Sequence, residues 1–150
     1  MAVRIATENL GIADGLSVPK RPKSFGENYL FPENLSQLSS LDVSDLMGRL
    51  SAWRGYVTYL LGRAIVRKRV LEDQLNMERI REIRARDGTG TMSYIRDTVS
   101  TLPDIAYING HVSDIDNRVT IYTHLRDIYQ GHIEILSREI SRRGIHKEYE

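Results

Sequence analysis

At 150 residues, with 41% hydrophobic and 27% charged side chains, the chain has the length of one domain and the composition of neither a disordered polymer nor a membrane protein. Its longest uncharged apolar run, Val57 to Gly62, is far short of the roughly 20 residues a bilayer span needs, and the absence of cysteine excludes disulfide and thiolate sites. The net charge of +1 hides a bias, since 17 of the 21 basic residues are arginine, whose planar donor fork suits phosphate, nucleic acid or carboxylates on a neighbouring helix alike. The first residues carry no basic stretch leading into an apolar run, so a cytoplasmic protein is expected.

Residues 1–33 contain three of the four prolines, Pro19, Pro22 and Pro32, and no sustained apolar period. They are predicted to form an extended arm, with residues 34–150 as the helical domain. With too little apolar content to stabilise its own subunit, the arm is expected to be held by a neighbouring copy. Its run Pro19-Lys20-Arg21-Pro22-Lys23 reads as solvated charge, with contact to phosphate or to an acidic partner as the alternative.

From Asp42 a heptad register begins. Val43, Leu46, Leu50, Trp53, Val57, Leu60 and Ala64 recur at alternating steps of 3 and 4, and Leu71, Leu75, Ile80 and Ile83 continue the apolar face more loosely. The spacing predicts one helix over 43–86, with Asp42 as N-cap, Asp45 in the first turn and Asp87-Gly88-Thr89-Gly90 as the stop. A short helix from Met92 to about Thr101 follows. Pro103 suits the first turn of a third helix, which carries Ile105, Ile108, Val112, Ile115, Val119 and Tyr122 on the same register and ends at a Gly144 C-cap. Asn109-Gly110 would ordinarily mark a turn, yet the register runs through it, so a continuous helix is expected.

A helix over 43–86 would span roughly 66 Å, against a radius of gyration of about 15 Å for a compact chain of this size. The expected fold is therefore all-α, a long antiparallel hairpin with the short helix at its tip. A further apolar row, Ile121, Ile128 and Ile135, exceeds what a two-helix seam can bury, and it predicts a homo-oligomer interface.

Signatures of catalysis, metal or cofactor binding are thin. The histidines His111, His124, His132 and His146 are not at ligand spacing, and polar positions on a helix seam account for His124 and His132. Asp87-Gly-Thr-Gly has no preceding strand and no following lysine, so it reads as a loop rather than a phosphate cradle. A non-enzymatic protein is expected. Charge is more informative, because residues 63–86 hold eight basic against four acidic side chains. Trp53, Tyr56 and Tyr59 lie just upstream of Arg63 and Arg67, and aromatic faces beside cations are how sequence-independent single-strand binders hold bases and backbone. Trp53 is assigned to the core; Tyr56 and Tyr59 are open to either role.

Taken in order, Ser51-Ala-Trp53 opening a long helix, the basic middle Arg63 to Arg69, Arg86-Asp-Gly-Thr-Gly90, Arg96-Asp-Thr-Val-Ser100, an apolar heptad helix and Ser141-Arg-Arg-Gly144 resemble the small phage recombination mediators of the UvsY type. The arm and the longer last helix depart from the family pattern. The resemblance implies a homo-oligomer in the host cytoplasm that binds single-stranded DNA and helps a RecA-like recombinase displace single-strand-binding protein. It places the DNA contacts on Arg63, Arg67, Lys68 and Arg69, with Tyr59 as the adjoining aromatic. The competing expectation is a structural or assembly protein of a phage particle, its arm and helix seams serving subunit contacts.

Overall fold

The structure, a computed structural model, describes residues 18–147, the last three of these as backbone only. Residues 1–17 of the expected arm and the side chain of His146 lie outside the described residues. The fold is all-α. Helix α1 runs Ser40–Ala85, α2 Met92–Ser100 and α3 Pro103–Lys147, with a 3-10 turn at Leu35–Gln37 ahead of them. The long helices α1 and α3 pair antiparallel as the helical hairpin anticipated from the heptads, and α3 passes through Asn109-Gly110 unbroken. No helix among the described residues is long and apolar enough to cross a membrane.

The ends of the helices correct three expectations. Ser39, not Asp42, caps α1. Its hydroxyl accepts a hydrogen bond from the Asp42 amide at 3.1 Å, while the Asp42 carboxylate accepts from the Ser39 amide at 3.3 Å. This reciprocal capping box needs the acid three residues after the cap, which is why Asp42 belongs inside the helix. Asp42 accordingly supplies the first-turn charge in place of Asp45. At the other end Gly144 does not stop α3, which continues to Lys147; Gly144 has no positive φ and is simply another helical residue. The stop of α1 is as expected. Gly88 sits at φ +80°, a left-handed conformation that disfavours any residue with a Cβ.

The chain divides into two compact units, one comprising residues up to Leu60 and from Tyr122 onward, the other Leu61–Ile121. In the second unit Leu75 of α1, Ile95 and Val99 of α2, and Ile105 and Ile108 of α3 form the core, flanked by Ile83, Leu102 and Val112. The nine-residue α2 could not persist alone. Thr91 caps it, accepting from the Tyr94 amide at 3.3 Å, and its two buried side chains hold it in place.

In the first unit Val43, Leu46 and Leu50 of α1 meet Leu136 of α3, all buried. Packed against them are Phe25, Tyr29, Phe31, Leu35 and Leu38. The arm from Lys23 onward is thus held by its own chain, contrary to the expectation that a neighbour holds it. Aromatic rings at irregular spacing make these contacts, and a periodicity search does not register them. Arg143 fastens the same segment from α3: its guanidinium donates to the Leu35 carbonyl at 2.7 Å and the Ser40 hydroxyl at 3.2 Å, and is itself held by Glu139 at 2.7 Å. Hydrogen bonds from Arg142 and Arg143 pull the Glu139 carboxyl down to about 2.

Phe31 stacks on His132, ring centroids 4.0 Å apart and 17° from parallel, and the covered Nδ1 has no hydrogen-bond partner among the described residues. Burial lowers the His132 pKa below its ordinary value near 6.5. The unfolded chain then takes up this proton more readily than the folded one, so stability is expected to fall as pH drops below about 6.5. Denaturation midpoints at pH 7.5 and 5.5 should therefore converge in His132→Phe; an unchanged difference would remove His132 as its source. Glu139 does not interfere, because its contribution is lost only as pH falls from 4.5 toward about 2.

Large apolar side chains remain uncovered. In the first unit Ile128 and Ile135 are 50% and 44% exposed, and in the second Ile121 is 54% exposed.

Candidate nucleic-acid interface

The basic stretch lies on the part of α1 within the second unit. Each residue turns a helix by about 100°, so Arg63 and Arg67, four apart, share a face. Both are exposed. Lys68 is turned about 100° from Arg67 into the seam with α3, where Nζ donates to Asp116 Oδ1 and lies 3.8 Å from Glu72 Oε1. The hydrogen bond to Asp116 raises the Lys68 pKa and holds it charged. Arg69, also exposed, is about 200° from Arg67, on the far side of the helix. The single patch expected from Arg63, Arg67, Lys68 and Arg69 is thus divided: consecutive positions in sequence fall on different faces, and the one lysine is already paired.

Farther along, Arg81 of α1 is 3.6 Å from Glu78, and Arg86, just past the end of the helix, is bound to Glu82. Tyr59 belongs to the first unit and is half-buried; it and Arg63 each engage another group of the chain. Among the described residues no group of three or more His, Asp or Glu side chains could hold a metal ion.

The first unit gathers cations that sequence reasoning left scattered. Trp53 is half-buried, tilted against Tyr129 at 6.5 Å and edge-on to Tyr56 at 6.0 Å. Its Nε1 donates to the Lys23 carbonyl at 3.0 Å, which lays the Pro19–Lys23 run across the helix. The Arg21 guanidinium is 5.8 Å from the Trp53 ring centroid; that of Arg49 is 4.4 Å from the Phe25 ring and 3.5 Å from the Ser24 carbonyl. The basic run was visible in the sequence, but thirty positions separate Lys23 from Trp53 and no spacing rule joins them.

Comparison with family models, with curated proteins and with solved structures finds no match for this chain.

Proposed function

We propose that this protein is a non-enzymatic, homo-oligomeric binder of single-stranded DNA that acts as a recombination mediator, assisting a RecA-like recombinase onto strands covered by single-strand-binding protein. The observation that carries the reading is the surface exposure of Arg63, Arg67 and Arg69 on α1, with Arg67 and Arg69 in no ion pair among the described residues. The recombination step rests on the resemblance of the sequence to the UvsY-type mediators. Exposed Ile128 and Ile135 support self-association, because contiguous uncovered apolar surface favours burial against a partner. Repetition of the arginines by symmetry turns a weak monovalent contact into a multivalent one for a flexible strand.

Anisotropy titrations of fluorescein-labelled oligo(dT) at several salt concentrations test this. Affinity is expected to fall with salt at a log–log slope of about −0.7 per phosphate contact, and Arg67→Ala with Arg69→Ala should flatten the slope and weaken all sequences alike. Lys68→Ala, in contrast, should act on stability through Asp116. An intact protein that ignores oligonucleotides even at low salt would overturn the DNA reading and leave the structural or assembly role. Light scattering that returns a monomer would overturn self-association.

A further inference from the structure

The basic side chains differ in what they face. Lys68, Arg86, Arg126, Arg142 and Arg143 each contact a carboxylate. Arg21 and Arg49 instead lie over the rings of Trp53 and Phe25. Lys20, Arg21, Lys23 and Arg49 are all exposed and form no ion pair among the described residues. We propose that the junction of the arm with α1, formed by Lys20, Arg21, Lys23, Arg49, Trp53 and Tyr56, is a second contact surface for single-stranded nucleic acid. It takes the backbone on the four cations and a base on the half-exposed Trp53–Tyr56 edge. This rests on the single-strand reading above and adds a site that the α1 arginines do not supply.

Three features favour this occupant. First, the surface is built in advance. Prolines at 19 and 22 restrict the backbone φ on either side of Lys20 and Arg21, and the hydrogen bond from Trp53 fixes the carbonyl of Lys23, so little ordering remains for binding. Second, a guanidinium stacked on an aromatic ring retains its in-plane N–H donors for phosphate oxygens, so Arg21 and Arg49 can keep their ring contacts while binding a strand. Third, aromatic faces among cations match a ligand that alternates charge with flat bases, whereas an acidic peptide would use the charges alone.

Trp53 is the only tryptophan, so its emission reports on this surface and on no other. The test compares the intact protein, the triple variant Lys20→Ala, Arg21→Ala, Lys23→Ala, and Arg67→Ala with Arg69→Ala. Each is titrated with oligo(dT) between roughly 50 and 200 mM salt, with Trp53 fluorescence read alongside anisotropy. The triple variant retains the backbone carbonyl that holds Trp53, so its thermal melt should match that of the intact protein. Oligo(dT) is expected to quench Trp53 in the intact protein, and the triple variant should lose about 2 from the salt slope, from three contacts at roughly 0.7 each. If the intact protein binds but Trp53 emission does not respond and the triple variant binds equally well, this surface is excluded while the proposed function stands. If the intact protein does not bind at low salt, both fall. Displacement of oligo(dT) by poly-glutamate at equal charge concentration would also overturn the proposal, since the bases would then contribute nothing.

Discussion

Replacing Leu136 with alanine is expected to lower the unfolding free energy by about 3 kcal/mol, within the range for truncating a fully buried leucine. Leu136 has no exposed surface and joins α3 to Val43, Leu46 and Leu50 of α1 in the cluster on which the arm also packs. The cavity would open where three chain segments meet, and a site with so many walls cannot collapse by moving one of them. Met77→Ala, at a side chain 70% exposed in the second unit, should change stability by less than about 0.5 kcal/mol. Urea denaturation at one fixed protein concentration measures both, since self-association would otherwise shift the midpoints. A loss below about 1 kcal/mol for Leu136→Ala would mean that the first unit is loosely packed there.

Deleting residues 1–33 is expected to lower the melting temperature by about 3–6 °C and to shift Trp53 emission to the red. The deletion removes Phe25, Tyr29 and Phe31, three half-buried rings on the Val43–Leu50 cluster. Half-burial of each contributes about 1 kcal/mol. Ordering the arm offsets part of that sum, leaving roughly 1–2 kcal/mol, which for a chain of this size corresponds to the stated shift. Helical circular dichroism at low temperature should persist, because α1 and α3 still have Leu136 and its partners. An unchanged melt and unchanged Trp53 emission would show that the arm contributes nothing to its own subunit, as its composition alone had suggested.

The arm marks the boundary of what the sequence made legible. Alternating steps of 3 and 4 report one buried stripe per helix, and that pattern was sufficient for α1, α3, their antiparallel pairing and passage through Asn109-Gly110. Pro103 and Gly88 act through local backbone restriction and could be read where they stand. Phe25, Tyr29 and Phe31 have no period, and they pack both on Val43, Leu46 and Leu50 of α1 and on residues more than a hundred positions away, His132 and Leu136. The candidate site was only half visible for a related reason. A run of basic residues announces charge but not which carboxylates neutralise it, and Asp116 lies 48 positions from the lysine it holds. The heptad position of Trp53 reads as core, whereas its Nε1 bond to the Lys23 carbonyl turns one edge of the ring toward the arm.

The division of the chain carries a consequence for how it folds. The second unit is one uninterrupted stretch, Leu61–Ile121, whose core contacts span modest sequence separations. The first is assembled from the two ends of the chain, and the Arg143 bond to Leu35 closes a loop of 108 positions. Closing a long loop costs entropy before any contact repays it, so the contiguous half can nucleate by itself while the half built from both ends must wait. During synthesis α1 emerges with its first turns uncovered, and Val43, Leu46 and Leu50 stay without their helical partner until Leu136 has left the ribosome. Throughout that interval the arm, made earlier and already adjacent in sequence, is the apolar cover available to them from within the same chain.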